Sequence, residues 1–302
     1  MTFFAEHALF LTGPTASGKT RLALTLAQEH HAEILSMDAY AVYRGMDIGT
    51  AKPTLQERAE IPHHLIDLRD PTEDFSLAEY LQEARKAAEE VLSRGKTPLF
   101  VGGTPLYLKS LLFGLFESPP ADETFRQTWQ QQAQEAAEKG DTHFLHRKVE
   151  KIDPPTAQRL HPNDTRRLIR ALEVFHQTGQ PMSTLQTQFE KTVPENLRAR
   201  IHVLAPPRET LHDRIEKRVD TMFEQGLLEE IQSLLQKYGY FSFTASQAVG
   251  YREVLPYLAA CQRGEKPSLE ELKNNVKAHT RQLAKRQCTW LRGLLGTEID
   301  SR

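Results

Sequence analysis

The segment Gly13-Pro14-Thr15-Ala16-Ser17-Gly18-Lys19-Thr20 has the residue types and spacing to hold phosphate. In such a P-loop, successive backbone N–H groups turn towards one point, at the positive end of the helix that follows. Lys19 adds a full charge, and the Thr20 hydroxyl can hold Mg²⁺. By composition the pattern arises by chance in about one chain in a hundred of this length, so it is a strong sign of a phosphorylated ligand. It says nothing of the reaction. Asp38 follows the apolar run Ile34–Met37 and should project at the carboxyl edge of a sheet, where such folds bind ligands. Three roles are open to it: magnesium ligand, general base, or cap of a helix or turn. Gly102-Gly103-Thr104 ends another apolar run in the same way and offers close backbone approach and one hydroxyl. A plain strand-to-helix turn explains it equally well. Arg214 and Arg218, spaced i, i+4, could grip a diphosphate or pair with Asp213, Glu216 or Asp220 on a solvated face.

The basic residues Lys273, Lys277, Arg281 and Lys285 also recur every four residues and would share one helix face. From Lys273 to Arg292 there are six basic residues and no acidic one. Like charges at that spacing repel, so either an anionic partner compensates them or the face is simply solvated. Arg166, Arg167 and Arg170 form a second small basic cluster. The stretch 54–93 is the counterweight, with ten acidic residues against four basic, net −6. The doublets His30–His31 and His63–His64 lack metal-ligand spacing and a third ligand, which disfavours zinc.

The elements that must position these groups alternate. Ala8–Leu11, Ile34–Met37, Leu65–Leu68, Pro98–Val101 and Ile201–Leu204 read as short buried strands. Lys19–Glu29, Leu77–Leu92 and Glu209–Glu224 (closed by Gly226) have helical spacing between them. Alternation of this kind predicts an α/β fold with a parallel sheet covered on both faces. A stretch of different character, roughly 117 to 196, reads as a helical insertion. It holds the glutamine-rich amphipathic segment Phe125–Lys139 and a helix capped by Asn163 or Asp164, with Leu168, Ala171, Leu172 and Phe175 as its apolar stripe and Gly179 as its stop. The predicted division is therefore a core of 1–116 plus 197–302 and an insertion of 117–196. A last long helix is predicted from Ser268, with Glu271 completing a capping box, towards Trp290.

With 302 residues, 39% of them hydrophobic, the chain can bury a sizeable core. A net charge of −2 excludes a polybasic nucleic-acid binder in bulk. A mean hydropathy of −0.52, with no long uncharged apolar run, predicts no membrane span. Cys261 and Cys288 cannot form a CxxC site, so a disulfide scaffold is excluded and a reduced, cytoplasmic setting is expected.

Several further blocks occur in order: Asp38-Ala39-Tyr40-Ala41-Val42-Tyr43 leading into Arg44–Pro53, Val101–Tyr107, His161–Asp164 with Arg166–Glu173, Val249–Glu253, and Thr280–Gln287. Together with the P-loop they closely resemble bacterial tRNA dimethylallyltransferases over nearly the whole chain, and the Tyr43–Pro53 block is the most specific. The resemblance implies a P-loop-kinase-like sheet (the fold of P-loop nucleoside triphosphate hydrolases) with a helical insertion. It implies transfer of a dimethylallyl group from dimethylallyl diphosphate to N6 of adenosine 37, beside the anticodon, with Mg²⁺ as cofactor and a monomer as the working form. In the family the P-loop holds the donor's diphosphate. Asp38 then matches the general base, Thr104 a residue contacting the target adenosine, and Arg214 a diphosphate-binding arginine. The tRNA-contacting parts match Asp38-Ala39-Tyr40-Ala41, Thr104, Arg126, Pro162-Asn163-Asp164-Thr165-Arg166, and Gln247 with Gly250-Tyr251-Arg252. Lys277, Arg281 and Lys285 suit the same task. Many family members carry serine where this chain has Ala39, so any hydrogen bond that such a serine donates to substrate has no counterpart here.

Three rivals differ in testable ways: a small-molecule kinase using ATP, a prenyltransferase for free adenine nucleotides, and a nucleotide-gated RNA-binding module. A mononucleotide would need neither a long insertion nor a basic helix.

Overall fold

The computed structural model describes residues 2–115, 119–186 and 193–296. The chain divides into two compact units, 1–112 with 192–302, and 113–191. The expected boundary at 116/117 falls outside the described residues.

In the first unit, the short helix α1 (Phe3–His7) leads into β1 (Leu9–Thr12), the P-loop and α2 (Lys19–Glu29). Then come β2 (Ala32–Ser36), α3 (Leu55–Glu60), β3 (His63–His64), α4 (Leu77–Ser93), β4 (Thr97–Gly102) and α5 (Pro105–Phe113). Thr54 with Glu57 and Ser76 with Glu79 form capping boxes that start α3 and α4. In the second unit lie α6 (Glu123–Glu138), α7 (Phe144–Ile152), α8 (Pro154–Arg159), α9 (Thr165–Thr178) and α10 (Met182–Leu185). The chain re-enters the first unit through α11 (Glu195–Arg198), β5 (Ile201–Val203), α12 (Arg208–Glu224), α13 (Leu227–Tyr238), α14 (Phe243–Ser246), α15 (Tyr251–Gln262) and α16 (Leu269–Leu295).

Among the described residues the strands form one parallel sheet in the order β3-β2-β4-β1-β5. Phe10, Leu11, Leu35, Leu99 and Phe100 are fully buried, as strands covered on both faces require. Parallel strands put every carboxyl end on one edge, so the P-loop after β1, Asp38 after β2 and Gly103–Thr104 after β4 meet there. Gly102 is needed for that meeting: a Cβ on it would lie 2.0 Å from the carbonyl oxygen of Met37.

One expectation changes. Leu65–Leu68 is not a strand, because Leu65 and Asp67 have positive φ of 63° and 57°, which no ladder accommodates. The strand is the two-residue β3 before it, and Asp67 instead accepts from Lys52 and Arg58. Beyond the predicted elements the first unit includes the helices α13 and α15. Gly226 (φ 96°) both follows the end of α12 and forms the N-cap of α13.

In the second unit, Leu145, Val149, Leu168, Ala171, Leu172 and Val174 make a separate core. Asp164 is the cap of α9, accepting the N–H of Arg167, and Gly179 ends it at φ 70°.

Candidate active site

The P-loop is where the spacing placed it. Thr15 and Ser17 spend their N–H groups inside the protein, on Gln287 Oε1 at 2.8 Å and on Pro14 O at 3.3 Å. The cradle for an anion is thus the open start of α2, where helix geometry leaves the first N–H groups unpaired. Lys19 Nζ donates to Gly13 O (2.9 Å), Pro14 O (2.7 Å) and Ser17 Oγ (3.3 Å), which holds the ammonium over the loop. Burial, and then the nearby Arg218 charge, lower its pKa from 10.5 to about 8.

Both arginines of α12 reach the loop. Arg214 donates to Ser17 O at 2.8 Å and Arg218 to Thr15 Oγ1 at 3.2 Å. Burial lowers the Arg218 pKa, opposed by the charge of Asp38. The alternative of a solvated face paired with Glu216 and Asp220 does not hold for them. Those two acids face α16: Lys277 pairs with Asp220 at 2.7 Å and Glu216 at 3.5 Å, and Arg281 pairs with Glu216. The repulsion expected along α16 is relieved from within the chain. Lys277, with its side chain 12% exposed, is a structural cation rather than part of an open basic face; Lys285 is exposed.

Asp38 Oδ1 accepts the N–H groups of Tyr40 (2.8 Å) and Ala41 (3.2 Å), so the carboxylate does cap the turn that follows. This leaves Oδ2 able to accept a further proton. Thr104 is tied to the same turn, its Oγ1 accepting from Ala39 N at 3.2 Å and its N–H donating to Met37 O at 3.3 Å. Its own hydroxyl proton remains to donate. A cavity of about 370 Å³ is lined by the P-loop, Asp38, Gly102–Gly103, Arg214 and Arg218 together. A small recess of about 70 Å³ beside it adds the apolar walls Val219, Met222, Val249 and Leu283.

The Asp47–Lys52 loop forms another wall and is fixed from behind. The Glu230 carboxylate accepts from the N–H groups of Asp47, Ile48 and Gly49 and from the Tyr251 hydroxyl. Lys52, its side chain wholly buried, reaches Tyr43 O and Asp67 at 2.7 Å each. Two of the expected tRNA-contacting positions are therefore reassigned. Gly250 and Tyr251 are buried, and Tyr251 supports this loop rather than presenting a surface. Gln247 and Arg252 are partly exposed beside them, with Arg252 on Glu253.

In the second unit, Asn163, Thr165 and Arg166 are exposed around the start of α9, with Pro162 and Asp164 half-buried. Arg126 behaves differently. Its guanidinium bonds the fully buried Glu173 at 2.9 and 3.0 Å, alongside Arg170.

For a metal, Thr20 is exposed in the first turn of α2, and no group of three His, Cys, Asp or Glu able to hold an ion exists among the described residues. The donor set fits Mg²⁺ carried mainly by a ligand's phosphates, with the Thr20 hydroxyl as a protein contact. Among the described residues no helix is long and apolar enough to cross a membrane.

The family model described as IPP transferase matches residues 41–294. A tRNA dimethylallyltransferase of Rhodopirellula baltica is 47% identical, covering 98% of this chain and 90% of its own length. One from Pelotomaculum thermopropionicum is 43% identical over 95% and 88%. Of solved structures, the tRNA isopentenylpyrophosphate transferase of Bacillus halodurans has a TM-score of 0.65 at 36% identity, covering 98% of this chain and 92% of that one. A eukaryotic dimethylallyltransferase acting on tRNA has a TM-score of 0.71 at 31% identity, covering 94% and 69%. With a cavity that joins a phosphate cradle to an aspartate, and with likeness of this extent, the chain belongs to the IPP transferase family.

Proposed function

We propose that this protein transfers the dimethylallyl group of dimethylallyl diphosphate to N6 of adenosine 37 in tRNA, next to the anticodon. The observation that carries the reading is the shared cavity: the P-loop, two arginines and Asp38 line one space of about 370 Å³. Adenine N6 is a poor nucleophile, because its lone pair is delocalised into the ring. In the reaction the N6–C1 bond forms, the C1–O bond to diphosphate breaks, and the N6 proton passes to Asp38 Oδ2. The negative charge that grows on the leaving diphosphate meets the N–H groups at the start of α2, Lys19, Arg214 and Arg218. Mg²⁺, held by the diphosphate and Thr20, would supply further charge neutralisation. Thr104 donates its hydroxyl proton to the target adenosine in this reading, and the apolar recess takes the prenyl chain.

The target base must leave its stack, at a cost of a few kcal/mol that contacts to the RNA backbone must offset. Lys285, Arg281, Gln247, Arg252, Ala39 with Tyr40, and the Pro162–Arg166 segment are the groups assigned to that contact, and Ala41, expected among them, is left out because it is buried. The working form is taken to be a cytoplasmic monomer, checked by sedimentation against the chain mass of 34.4 kDa.

The test is a mass measurement on an anticodon stem-loop transcript carrying three successive adenosines at 36–38. The expected product is heavier by one dimethylallyl unit and is not formed when adenosine 37 is replaced. Phosphoryl transfer from ATP to a small acceptor, with no prenyl transfer, would sink the reading.

A further inference from the structure

The helix α16 sends one buried polar side chain into the cavity, Gln287, which is 8% exposed. Both ends of its amide are used. Oε1 accepts the N–H of Thr15, inside the P-loop, at 2.8 Å, and Nε2 donates to the carbonyl of Gly103 at 2.7 Å. The approach is close: a Cβ on Gly103 would lie 2.7 Å from Nε2. These contacts bridge 272 and 184 positions of sequence, joining the donor loop to the residue before Thr104.

The bridge needs one acceptor and one donor on a single short fork, which is a primary amide. Asparagine has the fork but is one methylene shorter. Glutamate keeps the acceptor for Thr15 but would turn a carboxylate oxygen towards Gly103 O. Leucine keeps only the bulk.

We infer that Gln287 is a positioning residue for group transfer, fixing the P-loop and its diphosphate at a set separation from the Gly103–Thr104 edge that receives the amine. The inference rests on the prenyl-transfer reading above. Lys19, Arg214 and Arg218 attract a diphosphate strongly, but point attraction tolerates sliding along the loop. A neutral two-ended bridge sets a distance instead. In a displacement where C1 must sit in line between N6 and the leaving oxygen, a misplacement of about 1 Å costs roughly 10²-fold in rate.

The test compares the full chain with Gln287→Leu and Gln287→Glu, reading kcat, tRNA affinity, melting temperature and hydrogen exchange of the 13–18 backbone. The expected result is a kcat lowered about 10- to 100-fold in both variants. The tRNA dissociation constant and the KM for tRNA should stay within about twofold of wild type. Exchange at Thr15 should quicken in the leucine variant and remain slow in the glutamate variant, which keeps that acceptor. A glutamate variant that turns over slowly with a protected P-loop identifies the span, not the loop's fold, as the cause. Wild-type kcat in either variant would overturn the inference, as would a loss matched by equal losses of tRNA affinity and melting temperature. If the wild type transfers no dimethylallyl group, the functional reading fails. The exchange contrast then judges the bridge alone, and unchanged exchange at Thr15 in Gln287→Leu overturns it.

Discussion

On the proposed mechanism Asp38 does two jobs on one carboxylate, and they can be separated. Oδ1 caps the turn through Tyr40 and Ala41, while Oδ2 is left for the proton. Asparagine keeps an acceptor for the two N–H groups but cannot take a proton. Asp38→Asn should therefore lower kcat by about 10²- to 10⁴-fold, the usual size of a general-base effect, with tRNA binding unchanged. A variant with near wild-type turnover would reduce Asp38 to a cap. Lys19 makes a second prediction at this scale. Its pKa of about 8 means the charged form that attracts diphosphate is lost as pH rises through 8. In the free enzyme the charged fraction falls from about nine-tenths to about one-tenth between roughly pH 7 and 9, and kcat/KM for the donor should fall with it. Bound diphosphate stabilises the ammonium, so the fall in kcat itself should come at higher pH. A pH profile of kcat/KM that is flat across this range would refute the shift.

Which residues were legible follows from how their chemistry is written in the chain. The P-loop and Asp38 carry local signatures, a glycine spacing and an acid at a strand end. Gln287 has no such mark: it is uncharged, sits among basic residues, and gains meaning only from backbone partners far away in sequence. The Leu65–Leu68 run reads as a strand from its apolar content, which does not exclude the positive φ of Leu65 and Asp67 that goes with the Lys52–Asp67 contact.

At the scale of elements, α12 lies between two sets of partners. One side sends Arg214 and Arg218 to the P-loop, and the other gives Glu216 and Asp220 to α16. The i, i+4 spacing of the arginines was visible in sequence, but not which neighbouring acids would be drawn elsewhere, since that depends on α16 packing alongside. The acids moderate the basic helix. Glu216→Gln should release Arg281 from its pair and weaken the hold on Lys277. The tRNA affinity should rise severalfold at low salt, and the slope of log affinity against log salt should steepen by about one phosphate contact. Glu216 is 39% exposed, so stability should change by less than about 1 kcal/mol. Unchanged affinity and slope in filter-binding titrations would show that RNA does not meet this side of α16.

At the scale of the whole molecule, the net charge of −2 conceals a sorting: basic groups on α16 and around α9, acidic groups over 54–93. The groups proposed for catalysis all belong to the first unit, drawn from both ends of the chain, while the second unit has its own core and its own arginines. Those arginines are not equivalent. Arg126 serves Glu173, a fully buried carboxylate that Arg170 and the N–H of Asp122 also satisfy. Burial opposes the charge of Glu173, and the bonds led by Arg126 still hold its pKa below the ordinary carboxylate range. Arg126→Ala should thus destabilise the second unit by about 1–3 kcal/mol, because a buried carboxylate loses one of its charged partners and keeps only Arg170 and the Asp122 N–H. Any fall in tRNA affinity would come mixed with that loss, visible as an earlier urea transition. Arg166 is exposed in the first turn of α9, so its replacement separates the two effects. Arg166→Ala should raise the dissociation constant for tRNA and flatten the salt slope by about one unit. The KM for dimethylallyl diphosphate should stay at its wild-type value, and any change in stability should stay within about 0.5 kcal/mol, the usual size for an exposed side chain. Were Arg166→Ala to shift the donor KM and leave tRNA affinity alone, the second unit would have to be removed from the RNA contact and the basic groups of the first unit would carry it unaided.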